Sequence, residues 1–138
     1  MADDARAGRH TQIALTLLRV VVGVVFLMHG YQKWFMMGIP GVTGFFTSLG
    51  APVPVISAYV VATLELAGGI ALILGLFTRI FAIPLMLDLA GASILFHAKN
   101  GFFVPKGVEF VLTLLTATLV LALAGGGTAS IDRMLRRS

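Results

Sequence analysis

The sequence predicts an all-α membrane protein: a bundle of four transmembrane helices with one short helix in the first extracytoplasmic loop. Composition and four long apolar runs carry this prediction. Of 138 residues, 58% are hydrophobic and only 12% are charged, whereas about 25% of the residues of a soluble domain are charged. A soluble fold of about 150 residues buries only about 70% of the surface of its unfolded chain, so the bilayer is the expected solvent.

Each apolar run is close to the length of about 20 residues that a helix needs to cross a bilayer. The runs cover residues 12–31, 55–77, 80–97 and 108–125. Only Thr78 and Arg79 separate the second run from the third, which predicts a tight antiparallel hairpin. We therefore expect a single membrane domain over residues 1–138, with a cytoplasmic tail at about 128–138.

The segment between the first two runs is rich in glycine and proline, yet it carries a helical pattern. Pro40 suits the first turn of a helix and Gly50 suits its end. Between them, apolar residues recur at i, i+3, i+4 and i+7, namely Val42, Phe45, Phe46 and Leu49. This pattern predicts a short helix that lies in the outer interface or re-enters the bundle between the spans.

Positive charges in the loops predict the orientation. One side of the predicted bundle carries six arginines and the other three lysines: Arg6, Arg9, Arg79, Arg133, Arg136 and Arg137 against Lys33, Lys99 and Lys106. This excess favours both termini in the cytoplasm. The cations account for the pI of about 10.1, so no nucleic-acid partner is predicted; the expected partner is the lipid bilayer.

Six ionisable side chains lie inside the apolar runs or at their ends: Arg19, His29, Glu65, Asp88, His97 and Glu109. A charge at bilayer depth costs roughly 3 kcal/mol or more unless it is paired or hydrated. Function is therefore sought at these residues.

Three of the six form a predicted buried charge cluster near the midplane. At a rise of about 1.5 Å per residue, Glu65 and Asp88 fall near the middle of their spans, and Arg19 falls about 5 Å to the cytoplasmic side of its own midpoint. We expect Arg19 to pair with Glu65 or with Asp88. The alternative role is a polar clamp that only fixes helix register.

A second group, His29, Lys33, His97 and Glu109, lies at the extracytoplasmic helix ends. The predicted loop helix can fold back over these residues. Two histidines at one depth can ligate haem or a metal, but interfacial histidines are more often hydrated side chains, so we predict no metal. The nine residues from Asp88 to His97 turn the two side chains to opposite faces of an α-helix, so the two groups need not be continuous.

Cysteine is absent from the chain, which excludes disulfides, thiol redox chemistry, iron–sulfur clusters and cysteine zinc sites within it. The sequence also has no dinucleotide fingerprint, P-loop or nucleophile elbow.

Five segments, in order along nearly the whole chain, resemble the DoxX family of small bacterial four-helix membrane proteins: FLMHGYQKWF, LELAGGIALILGLFTRI, FHAKNGFF, KGVEF and GGGTASID. The resemblance implies a bacterial inner (plasma) membrane protein, with relatives linked to quinone-dependent thiosulfate oxidation and to oxidoreductase complexes that respond to oxidative or thiol stress. The motif positions it implies are His29, Gly30, Lys33, Glu65, Gly68, Gly69, Arg79, His97 and Glu109. Asp88 departs from the family pattern, which has an apolar or small residue there.

The leading hypothesis is a membrane subunit of a quinone-linked oxidoreductase. Its predicted catalytic residues are His29, Glu65, His97 and Glu109, and its quinone cofactor is held by His29, Lys33, Trp34 and His97. Electrons come from a soluble redox enzyme partner or directly from a reductant, and a homo-oligomer is a further expected partner. The alternative is a small membrane transporter or a lipid- or small-molecule-binding protein, in which the midplane charges mark a substrate or proton path. Whether the chain is catalytic on its own is left open.

Overall fold

The computed structural model describes residues 2–135, with side chains from residue 6 onward; Arg136 and Arg137, used in the orientation argument, lie outside the described residues. Every regular element in the described part is helical. In chain order these are α1 (Ala2–Tyr31), a π-helical turn (Gln32–Met37), α2 (Gly38–Ser48), α3 (Pro54–Leu74), α4 (Thr78–Leu95), a 3₁₀ turn (His97–Asn100), α5 (Glu109–Ala124) and α6 (Ile131–Leu135). The predicted all-α membrane fold class is confirmed, including the short helix after the first span.

Three helical stretches of the described chain are long and apolar enough to cross a membrane: Arg6–Ser48, Pro54–Leu74 and Thr78–Leu95. The fourth predicted span corresponds to α5, which has 16 residues. At about 1.5 Å per residue, α5 is shorter than a hydrocarbon core of about 30 Å. The count of four spans therefore stays a prediction.

The chain beyond α5 returns to the turn that joins α3 to α4. The backbone N–H of Asp132 donates to the Gly75 carbonyl at 3.0 Å. The Asp132 carboxylate accepts from the N–H groups of Phe77 and Thr78, at 2.6 and 2.9 Å. We call this end of the bundle the terminal end, and the opposite end, with the π turn and the 3₁₀ turn, the loop end. The cytoplasmic location of the terminal end stays a prediction.

Helix α1 packs mainly against α3, and glycines bring the two backbones into contact. A Cβ atom on Gly30 would overlap the backbone of Leu66, and one on Gly69 would overlap the backbone of Leu27. Close packing of this kind holds helices together in lipid, where burial from water supplies no driving force between them. Antiparallel α1 and α3 therefore form a closely packed helix pair.

This contact predicts that Gly30→Ala destabilises the protein by about 1–3 kcal/mol, because the added methyl group forces α1 and α3 apart. The measurement is the free energy of unfolding in detergent micelles. Gly91→Ala in α4 is the matched control, since a Cβ there meets nothing within 4 Å and alanine favours a helix by up to about 1 kcal/mol over glycine. Equal losses in both variants would contradict the close contact.

Candidate functional site

The chain reaches the loop end through a bend at Gly38. This residue has φ +70°, a backbone conformation that glycine adopts without steric cost. Pro40 follows in the first turn of α2, where its missing N–H would have no helical partner in any case. Because of the bend, α2 turns back and packs against α3. The predicted loop helix thus exists, but residues 32–37 before it are helical too.

Lys33, in the π turn, forms an ion pair with Glu65 of α3. Its Nζ atom donates to Glu65 Oε2 at 2.5 Å, and the two side chains are only 17% and 8% exposed. Side chains in a helix lean toward the N-terminus of their own helix. Lys33 therefore leans down into the bundle, whereas Glu65, on the antiparallel helix, leans up to meet it. The lysine neutralises a carboxylate buried at the middle of α3.

Asp88 of α4 adds a second carboxyl group to this pair. Its side chain lies within hydrogen-bonding reach of Glu65 and within electrostatic range of Lys33. An ionised carboxylate can only accept hydrogen bonds, so a bond between the two carboxyl groups requires one proton between them. Lys33, Glu65 and Asp88 form what we call the carboxyl triad.

His29 lies next to the carboxyl triad, one helical turn before Lys33. Its ring stacks on Phe110 of α5, with centroids 6.3 Å apart and planes inclined by 25°. It is within electrostatic range of Glu65, Lys33 and His97. The imidazole thus connects α1 to α5 beside the ion pair.

His97 begins the 3₁₀ turn and fastens the loop that follows. Its Nδ1 atom lies 2.9 Å from the Lys106 carbonyl and 3.0 Å from the Gly107 carbonyl. Carbonyls only accept, so Nδ1 carries the proton, and in the neutral ring Nε2 is an acceptor. The sequence spacing placed His97 and Asp88 on opposite faces of one α-helix. That placement does not hold, because α4 ends at Leu95 and Phe96 has φ −120°.

Aromatic contacts seat α2 and the π turn over the loop end. Phe45 of α2 meets Phe96 edge-on at 5.4 Å, directly beside His97. Trp34 packs edge-on against Tyr59 of α3 at 5.8 Å. Trp34 was predicted to bind the cofactor; the contact that the structure gives it fixes the π turn on α3.

Glu109 was predicted to be catalytic, but its carboxylate holds the loop that precedes α5. Its Oε1 atom accepts from the Val104 N–H at 2.6 Å, and its own N–H donates to the Phe102 carbonyl at 2.9 Å. These bonds close the 101–108 loop at the start of α5. In this structure Glu109 shapes the loop that His97 also fastens.

The predicted pairing of Arg19 with Glu65 or Asp88 is wrong. Arg19 is 2% exposed, and its Nη2 atom donates to the Ala129 carbonyl at 2.6 Å. Its side chain leans toward the start of α1, away from the carboxylates, and so reaches the segment after α5 at the terminal end. The predicted cluster of Arg19, Glu65 and Asp88 therefore does not form, and Lys33 is the cation that pairs with Glu65.

The structure thus brings together five of the predicted residues: His29, Lys33, Glu65, Asp88 and His97. The sequence did not predict that Phe110 contacts His29 or that Asp132 caps the start of α4. A signal for Asp132 exists in the GGGTASID segment, where glycines precede a residue able to cap a helix. The stacking of Phe110 on His29 has no sequence signal, because it depends on how α5 packs.

A family model described as DoxX matches residues 14–98. The chain is a member of the DoxX family. The matched range contains all five residues gathered at the loop end. No solved structure matches the chain.

Curated DoxX-type relatives cover most of the chain. It is 38% identical over 121 residues to a Bacillus subtilis (strain 168) protein named "Putative oxidoreductase CatD", covering 88% of this chain and 86% of the relative. It is 31% identical over 132 residues to "Inner membrane protein YphA" of Escherichia coli (strain K12), covering 91% and 93%. It is also 31% identical over 131 residues to "Uncharacterized membrane protein Rv3486" of Mycobacterium tuberculosis, covering 87% and 80%.

The buried ion pair predicts that Lys33→Met destabilises the protein by about 3–5 kcal/mol, because it leaves a buried carboxylate without its cation. Glu65→Gln should partly rescue the loss, since the amide removes the charge and nearly keeps the shape. A double-mutant cycle of unfolding free energies in detergent measures the coupling. Lys99→Met, at an exposed lysine of the same end, is the control. Additive effects of Lys33→Met and Glu65→Gln would contradict the pair.

Proposed function

We propose that this DoxX protein is the membrane subunit of a quinone-linked oxidoreductase in the bacterial inner membrane, with both termini cytoplasmic. The observation that supports the proposal is the carboxyl triad, flanked by His29 and His97 at one end of the helix bundle. Ionisable side chains inside a membrane bundle commonly line substrate or proton paths. The relative named as an oxidoreductase agrees with a redox role.

The residues at the loop end fit a quinone headgroup, a flat ring with two carbonyl oxygens. Lys33 has three N–H donors, one of which binds Glu65, so two are left for a carbonyl oxygen. His29 and Phe110 offer stacked flat rings for the headgroup. A bound quinone would supply chemistry in which two electrons and two protons convert it to the quinol.

The carboxyl triad and His97 exchange protons with the quinone in this proposal. In this proposal Glu65 and Asp88 share one proton, and the Lys33 ammonium group balances the negative charge that remains. His97, with its proton on Nδ1, presents an acceptor at Nε2 that suits the hydroxyl group of a quinol. These groups provide a donor for the oxidised ring and an acceptor for the reduced one, which is what general acid–base catalysis at a quinone requires.

Electrons must come from outside this chain, because it contains no cysteine and its sequence has no recognisable cofactor motif. In the proposal a soluble redox enzyme, or a small-molecule reductant, delivers the two electrons. The membrane subunit contributes the binding site and passes on two protons taken up from water, one at a time through the Glu65–Asp88 pair.

A second candidate function is a small transporter or binding protein for a lipid or another small molecule. The observation that favours it is the carboxyl pair Glu65–Asp88, because carboxyl groups inside a membrane bundle can form proton relays that are coupled to a substrate. Proton uptake into proteoliposomes without any quinone would favour this second function.

The quinone proposal predicts that the protein purified in mild detergent carries a quinone, identified by solvent extraction and mass spectrometry, at close to one molecule per binding site. His29→Ala should lose most of it, since the variant removes the stacked ring beside Lys33. His10→Ala is the matched control, because His10 is an exposed histidine near the start of the same helix.

Bound quinone is compared at equal amounts of folded protein, so that a difference reports on the site and not on folding. Absence of quinone from the wild-type protein, or equal retention by His29→Ala and His10→Ala, would contradict the proposed function.

A further inference from the structure

A second polar site lies at the terminal end of the bundle, beside Arg19. Arg19 precedes Lys33 by 14 residues, which corresponds to about 21 Å at about 1.5 Å per residue. It is a pocket of about 510 Å³ between α1, the start of α4 and residues 124–135, a size typical of small-molecule sites. Arg79 and Arg133 line it, and Gln12 of α1 lies at its edge. None of these residues takes part in the proposed quinone chemistry.

Buried polar atoms beside this pocket lack partners in the protein. Thr78 lines the pocket and is 1% exposed, and its hydroxyl oxygen has no hydrogen-bond partner. Arg19 lies behind it, with Nε and Nη1 also unpartnered. A buried polar group without a partner lowers stability appreciably. Thr78 and Arg19 therefore have hydrogen-bonding atoms that no protein group uses.

Glycine backbone forms one wall of the pocket. Gly125 and Gly127 have φ +87° and +78°, so glycine is the residue that fits this turn. A Cβ atom on Gly126 would lie 2.6 Å from the Thr78 hydroxyl and 3.3 Å from Arg19 Nη1. The backbone of Gly126 thus lies close to the Thr78 hydroxyl and the Arg19 guanidinium, with no side chain of its own between them.

The charge balance of the pocket is positive. Asp132 supplies a negative charge, but its carboxylate is bonded to the N–H groups of Phe77 and Thr78 and interacts with Arg19. Arg79 and Arg133 are therefore the positive charges available to bind an anionic ligand. Guanidinium groups bind phosphate oxygens through two parallel hydrogen bonds.

We propose that this pocket binds a phosphate-bearing anion, held by Arg79 and Arg133 with the Thr78 hydroxyl as a third donor. Two sources share this chemistry: the headgroup of an anionic phospholipid and a free phosphate. Basic pockets between membrane helices are known to bind anionic headgroups.

The test uses the full chain purified in a neutral detergent. Affinity is measured from the rise in unfolding temperature as phosphatidylglycerol is added, with phosphatidylcholine as the uncharged comparison. A second series adds inorganic phosphate against chloride at equal ionic strength. The Arg79→Gln/Arg133→Gln double variant should bind roughly tenfold more weakly or worse, because each arginine gives charge-assisted hydrogen bonds.

Two further variants separate binding from folding. Arg9→Gln removes an exposed arginine of α1 that does not line the pocket, and it should bind like the wild type. Thr78→Val keeps the shape and removes the unpartnered hydroxyl, so it should weaken binding without lowering the unfolding temperature of the ligand-free protein.

Stabilisation by phosphatidylglycerol alone would assign the site to a lipid headgroup, and stabilisation by inorganic phosphate would assign it to a free phosphate. Either result supports the proposal if the double variant loses the effect. Failure of both ligands to stabilise the wild type, or equal stabilisation of the wild type and the double variant, would overturn it. The outcome is independent of whether a quinone binds at the other end.

Discussion

A charge in the interior of a membrane protein needs a partner within reach, and this requirement organises both ends of the bundle. At the loop end Lys33 neutralises the carboxyl pair of Glu65 and Asp88. At the terminal end Arg19 binds the Ala129 carbonyl and interacts with Asp132. Breaking either arrangement would leave a buried charge unpaired, which costs several kcal/mol. The helices are therefore held in one register by electrostatics as well as by packing.

The ion pair in turn depends on a contact between backbones. Gly30 touches Leu66, the residue next to Glu65, and Lys33 follows Gly30 by three residues, on nearly the same helical face. A larger residue at Gly30 would move α1 away from α3 and lengthen the Lys33–Glu65 distance. Since the Coulomb attraction and the hydrogen bond both weaken with distance, the glycine contact and the chemistry of the site are coupled through one short stretch of helix.

Features that arise from neighbouring residues were predictable from the sequence. Features that depend on contacts between distant segments of the chain were not. The apolar runs, the α2 helix and the grouping of His29, Lys33 and His97 follow from hydropathy, periodicity and helix length. The partner of Arg19 could not be predicted, because a non-helical segment more than 100 residues later supplies the carbonyl. The proximity of His97 to the site was misjudged because α4 ends before His97, so the angle of 100° per residue does not carry through.

The two ends of the bundle use different cations for a physical reason. A lysine ammonium is a compact charge on a flexible stem, suited to one carboxylate oxygen and able to give its other N–H groups to a ligand. An arginine guanidinium is a planar fork that binds a backbone carbonyl or a phosphate in a fixed direction. In the proposed quinone site Lys33 offers an adaptable donor beside Glu65 and Asp88, whereas Arg19, Arg79 and Arg133 lie around the turn at residues 125–127. The two proposals thus assign Lys33 and the pair Arg79 and Arg133 to ligands of different chemistry.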